Sequence, residues 1–227
     1  MKKTLTSNSL KIIAIIAMVL DHIGILMQYN KVVYVLFRMI GRICAPIMFY
    51  SLSKGYVFTK NKFRYGLNLL LFAIISQVPY SLFNSDLFFN YKNYNVIFAL
   101  FLGFMCLLIV DKIRLKLIKY SLVVLCFTLS VFCDYAFIGI AFVLLFYMLR
   151  NSKYKYLIYN IMSVIYILIH LAIYRNLMIL LIMLGLFLVT PLIYFDNGQK
   201  GKYNLKYLFY FFYPIHFIIL FIIKSIL

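Results

Sequence analysis

The sequence has no glutamate and no tryptophan, and its only acidic residues are five aspartates in 227 positions. Without glutamate there is no HExxH zinc-protease pattern, and neither a GxSxG nucleophile elbow nor a P-loop occurs. The four cysteines, Cys44, Cys106, Cys126 and Cys133, lie in or at the ends of apolar runs without metal-ligand spacing. They read as small packing residues, and no metal is expected. Charge is scarce too: 12% of residues are charged, 66% are apolar and mean hydropathy is +1.01. A soluble fold of this size needs far more polar surface. No linker, low-complexity tract or repeat divides the chain, so residues 1–227 read as a single domain.

The charge that is present is lopsided, with 23 Lys+Arg and a formal net charge of +18. In a soluble domain this excess points to nucleic acid, but here the cations fill short gaps between apolar runs and form no contiguous phosphate track. A helix needs about 20 apolar residues to cross the hydrocarbon. Nine runs approach that length: 10–28, 32–53, 65–83, 95–111, 117–133, 135–149, 156–173, 176–195 and 207–224. The first resembles a signal peptide but lacks the small-residue cleavage site, so it reads as a retained span. Cytoplasmic loops carry the excess of Lys and Arg. With the N-terminus inside, 17 cations fall on the inner side, from Lys2 to Lys206, and four on the outer: Lys31, Lys92, Arg175 and Lys224. The expected fold is an all-α bundle of nine membrane spans, N-terminus cytoplasmic and C-terminus extracytoplasmic.

The remaining two cations, Arg38 and Arg42, sit inside the second run. One turn apart, they share a helix face, and each costs about 2.5–3.5 kcal/mol at the bilayer centre. They read either as an ion pair with Asp21 or Asp134, or as a clamp for an anion or carbonyl. Asp21 and His22 lie near the outer end of the first run, as a helix-end pair or as a carboxylate and imidazole that move protons. Pro79 follows Ser76 and Gln77, and Pro214 stands between Tyr213 and His216. Each proline removes a backbone donor, a break tolerated in lipid where polar groups line a cavity. Asp21, His22, Arg38, Ser76, Gln77, Asn95 and Asp134 fall toward the outer half, Arg42 and His216 nearer the middle. This predicts one polar cavity walled by the first, second, third and ninth spans. On the inner side, Gly198, Lys200, Gly201 and Lys202 form a turn able to hold a phosphate, or an ordinary basic loop.

The segments LKIIAIIAMVLDHIGIL, FRMIGRICAPIMFYSLSKGY and LFAIISQVPYSLF resemble the TraX family, whose name-giving member acetylates the N-terminus of F pilin. NVIFALFLG, CDYAFIG, FDNGQKG and YLFYFFYPIH follow in family order, so the resemblance covers nearly the whole chain. It marks Asp21, His22, Gly41, Arg42, Pro46, Ser76, Gln77, Pro79, Asn95, Asp134, Tyr213, Pro214 and His216 as family-typical, and the family looks distantly similar to the acyltransferase-3 membrane enzymes. The resemblance implies a multi-pass acyltransferase of the bacterial cytoplasmic membrane, with acetyl-CoA as donor and an amine or hydroxyl of a peptide, lipid or glycan as acceptor. His216 or His22 is expected as general base, with Asp21 orienting an imidazole and Arg42 and Arg38 stabilising the oxyanion. Ser76, Gln77, Asn95, Asp134 and Tyr213 are expected at the acceptor, and Gly198, Lys200, Gly201 and Lys202, with Arg64, at the CoA phosphates. A small-anion or metabolite transporter using the same buried charges is the alternative.

Overall fold

The computed structural model describes residues 3–202, 205 and 207–226. Of the inner-side cations counted above, Lys2 and Lys206 lie outside them. The described chain is almost wholly helical. In order come α1 (Ser7–Leu26), α2 (Lys31–Gly41), α3 (Cys44–Phe58), α4 (Lys62–Ser85), α5 (Val96–Lys112) and α6 (Lys116–Ser130). There follow α7 (Ala136–Met148), α8 (Tyr154–Tyr174), α9 (Leu177–Met183), a 3-10 segment (Leu184–Leu188), α10 (Val189–Tyr194) and α11 (Leu208–Ile226).

Side-chain oxygens at N-caps accept first-turn amides that have no partner within the helix. Thr6 does so for α1, and asparagines do so for α2 (Asn30), α4 (Asn61), α5 (Asn95) and α9 (Asn176). At the other end, Asp86 closes α4 and Arg175 closes α8 in the left-handed conformation, with φ of 55° and 47°.

Six stretches are long and apolar enough to cross a membrane: Ser7–Leu26, Lys31–Phe58, Lys62–Ser85, Tyr154–Tyr174, Leu177–Tyr194 and Leu208–Ile226. The other three runs fold as the shorter α5, α6 and α7, of 17, 15 and 13 residues. Large apolar side chains on these helices face outward; Ile16, Ile74, Ile165 and Ile219 are each more than half exposed. In water such a surface drives aggregation, whereas in lipid it is the contact face.

The structure departs from uninterrupted spans at two places. Pro46 has no N–H for the Arg42 carbonyl, and the helix breaks just before it, between Gly41 and Cys44. There the turn tightens, Ile43 N donating to the Ile40 carbonyl at 3.1 Å. The eighth run is likewise interrupted by the 3-10 segment, ahead of Pro191. The Tyr159 hydroxyl donates to the Leu186 carbonyl inside that segment at 3.0 Å.

The chain forms two compact units, residues 1–48 with 151–209, and residues 49–150 with 210–227. In the first, α2 packs on α1, α9 and the 3-10 segment, while α8 packs on α9 and α10. In the second, α5 is central, packed on α4, α6 and α7.

Candidate functional site

In the first unit, α1 and α2 approach closely enough for one carboxylate to hold two guanidiniums. Arg38 Nη1 donates to Asp21 Oδ2, and Arg42 Nη2 donates to Oδ1 and Oδ2 at 2.9 and 3.2 Å. All three side chains are largely buried, with exposures of 13% for Asp21, 21% for Arg38 and 12% for Arg42. Arg42 Nε also donates to the Arg38 carbonyl at 3.4 Å. Arg38 Nε, by contrast, is buried with no hydrogen-bond partner among the described residues. Of the two partners the sequence offered this arginine pair, the structure brings Asp21 to it.

Two glycines make the approach possible. A Cβ at Gly41 would fall on the Asp21 carboxyl group, and one at Gly185 would fall on the Met39 carbonyl oxygen. The backbone of the 3-10 segment therefore runs directly against the α2 turn that carries the arginines. Gly41→Ala is expected to cost about 1–3 kcal/mol through overpacking. A thermal midpoint in detergent equal to that of the parent would contradict this packing.

His22 stands beside this cluster on α1, hydrogen-bonded to the Met18 carbonyl. The same backward reach recurs in the other histidines. His216 Nδ1 faces the Phe212 carbonyl and His170 Nδ1 the Tyr166 carbonyl, each at 3.1 Å. A carbonyl only accepts, so Nδ1 carries the hydrogen in both, and in the neutral ring Nε2 carries the lone pair.

The second unit holds the other candidates. Gln77 and Asn95 are fully buried and bound to each other, Gln77 Oε1 accepting from Asn95 N and Nδ2 at 3.1 and 2.9 Å. Asn95 Nδ2 donates also to the Ala73 carbonyl at 2.8 Å, and Gln77 Nε2 to the carbonyls of Asn90 and Asn93 at 3.1 and 2.9 Å. These bonds moor the loop after α4 to that helix. Asp134 accepts from the Tyr80 hydroxyl at 2.9 Å, and its amide donates to the Tyr94 carbonyl at 3.0 Å. Tyr213 and His216 lie buried on α11 around Phe217, whose ring centroid is 5.2 Å from Tyr213 and 4.2 Å from His216. Ser76 is fully buried on α4. Sequence reasoning missed Tyr80, although its place one turn beyond Ser76 on the same face was a usable signal.

At the predicted phosphate turn, the amides of Gly198 and Gln199 are bound by the side chains of Asp196 and Asn197, at 3.1 and 2.9 Å. Asn197 N donates to the Leu5 carbonyl at 2.8 Å. In return, Leu5 N reaches the Phe195 carbonyl, Ser7 N that of Gln199 and Asn8 N that of Lys200, at 2.9–3.1 Å. The turn thus clasps the start of α1, and the amides of Asn197, Gly198 and Gln199 are all engaged. Gly198 and Gly201 have φ of 80° and 95°. Arg64 sits in the second unit, exposed in the first turn of α4. Among the described residues, no group of three His, Cys, Asp or Glu side chains is arranged to hold a metal ion.

A helical chain with an outward apolar face, membrane-length helices and a two-arginine clamp inside one of them is an integral membrane protein. The family model described as TraX protein matches residues 6–224, and the chain belongs to that family. It is also 29% identical over 225 residues to the probable fimbrial assembly protein FimC, serogroup H1, of Dichelobacter nodosus, covering 93% of this chain and 92% of that protein. No solved structure matches.

Proposed function

We propose that this protein is a membrane acyltransferase that moves an acetyl group from acetyl-CoA to an amine or hydroxyl of a membrane or cell-surface acceptor. The observation that carries this reading is the clamp of Asp21, Arg38 and Arg42, which keeps a guanidinium N–H buried and without a partner among the described residues, inside a broken helix. Donors held in this way, away from water, stabilise charge that develops on a carbonyl oxygen.

Arg42 and Arg38 hold the oxyanion as the acceptor nucleophile adds to the thioester carbonyl. His22, on the same unit as the clamp, takes the proton that the nucleophile loses and passes it to the departing CoA thiolate. Asp21 fixes both guanidiniums. Lys200 and Lys202 receive the donor's phosphates through their side chains. Within the second unit taken by itself, Ser76, Asp134 and Tyr213 are proposed to bind the acceptor, with Gln77 and Asn95 as the scaffold behind them. The membrane is the bacterial cytoplasmic one, crossed nine times from a cytoplasmic N-terminus. Inner-side cations support this topology by outnumbering outer ones 17 to four. Among acceptors, a peptide is favoured by the family's link to pilin acetylation and by the FimC-like relative's named role in fimbrial assembly.

Mass spectrometry of surface peptides, lipids and glycans, with and without the gene, tests the reading. A difference of one acyl group is expected, and its absence from all three classes would overturn the proposal. Arg38→Lys keeps the charge but loses the planar fork and the unpartnered Nε–H. It is expected to lower transfer by about 10²–10³, the usual loss for an oxyanion donor, with protein level unchanged; full activity would remove the clamp from the mechanism. The two helix breaks are also what a transporter uses. Uptake of a small anion into liposomes without acyl donor would favour that reading instead.

A further inference from the structure

Buried serines of the second unit mostly satisfy their own hydroxyls. Ser53 donates to the Tyr50 carbonyl at 2.8 Å and Ser130 to the Phe127 carbonyl at 2.7 Å, while Ser81 accepts from Gln77 and Asn90. Ser76 does not. Its hydroxyl is fully buried and has no hydrogen-bond partner among the described residues. A buried polar group left unpaired costs about 1–3 kcal/mol, so the closed arrangement around Ser76 is held against a penalty that a ligand would relieve.

On α4, Ser76 stands between two aromatic residues at i−4 and i+4. Phe72, one turn before it, stacks on Tyr210 at 4.8 Å, and Tyr80, one turn after it, meets Phe217 edge-on at 5.5 Å. Both rings therefore reach across to α11, and the short serine between them does not. Tyr80 is also the link outward, because its hydroxyl donates to half-buried Asp134. Directly after Asp134 come two consecutive non-glycine residues with positive φ, Tyr135 at 64° and Ala136 at 38°. Conformations of this kind cost about 1–3 kcal/mol each and persist where the surroundings enforce them, often at ligand sites. Here they start α7 and hold the Asp134 carboxylate toward Tyr80. An unpaired hydroxyl and a carboxylate just before a strained turn thus mark the two ends of one row, joined by one tyrosine.

We propose that Asp134, Tyr80 and Ser76 form a binding path for an N–H or O–H donor group, which enters at the carboxylate and finishes on the Ser76 hydroxyl. The Tyr80 hydroxyl exchanges Asp134 for the incoming group as it passes. The occupant's identity as the acyl acceptor's amine or hydroxyl rests on the acyl-transfer reading; the path itself does not.

Cysteine reactivity in lipid bilayers tests the path. On a chain whose four native cysteines are replaced by alanine, Ser76→Cys is treated with 2-aminoethyl methanethiosulfonate, a small primary ammonium. Ser130→Cys is the control, equally buried in the same unit but off the path. The Ser76→Cys thiol is expected to react about tenfold faster or more, the ratio that about 1.4 kcal/mol of easier access gives, and Asp134→Asn is expected to slow it. If the cysteine-free chain does not fold, the comparison is made with the four buried native cysteines in place and the label located by peptide mass. Equal rates at 76 and 130 overturn the path, even if the protein proves to be an acyltransferase. Fast labelling of a protein that transfers no acyl group leaves the path standing and removes the acceptor as its occupant.

Discussion

Asp21→Asn is expected to lower stability by about 3–5 kcal/mol, the cost of removing one partner of a buried ion pair. Asparagine keeps the shape of the side chain but withdraws the carboxylate that both guanidiniums hold. The desolvated positive charge must then be borne by the two arginines themselves, and α1 and α2 lose the contact that brings them together. The measurement is the thermal midpoint of purified protein in detergent, together with the membrane-inserted yield. A second variant separates charge from packing. Adding Arg38→Gln to Asp21→Asn removes one of the cations left behind, and part of the lost stability should return as a non-additive coupling. An Asp21→Asn protein as stable as the parent would mean that the arginines are neutralised elsewhere.

The second large effect is expected at the histidines, with different signatures at each. His22→Ala should reduce transfer by about 10²–10⁴, the usual contribution of a positioned acid–base group, at unchanged acceptor affinity. His216→Ala should raise the acceptor KM more than it lowers kcat, because His216 shares the Phe217 cluster with Tyr213 and Tyr80. Steady-state kinetics on both variants decide the assignment. If His216→Ala abolishes kcat while His22→Ala stays active, the base is His216.

The elements of this fold were largely legible because their signal is compositional. Each of the nine apolar runs contains helix, whereas the caps Asn30, Asn61, Asn95 and Asn176 emerge only from the structure. The breaks were harder to read. Pro46 was visible, but a helix-breaking residue does not say whether the chain bends, tightens or stops. The 3-10 segment beside Met39 depends on Gly185 meeting a carbonyl well over a hundred positions away in sequence. Within the site, the spacing of Arg38 and Arg42 gave their common face, and two carboxylates were possible partners. Sequence had no means of choosing between Asp21 and Asp134, since the choice is made by the α1–α2 packing that Gly41 permits. Gln77 and Asn95 looked like cavity-lining groups because they are polar and one stands near a proline. Their hydrogen bonds to each other span 18 positions and a loop, a pairing that no local pattern encodes. The turn at residues 196–202 shows the same limit: its Gly and Lys content is open to an anion site or to a basic loop, and does not reveal that the Gly198 and Gln199 amides are bound by Asp196 and Asn197 or that Asn197 N reaches the Leu5 carbonyl.

The clamp also bears on how the chain is made. Asp21 precedes Arg38 and Arg42 by 17 and 21 positions, so the carboxylate leaves the ribosome first. The two helices are consecutive and can enter the membrane as a hairpin. In that hairpin the two arginines, each costing about 2.5–3.5 kcal/mol at the bilayer centre when alone, have the Asp21 carboxylate as a partner. The clasp between Leu5 and Phe195–Lys200 closes only after residues 49–150 of the second unit have been made. The first unit is therefore begun before that stretch and latched after it, and chains truncated ahead of Phe195 should carry an inserted but unlatched α1–α2 hairpin.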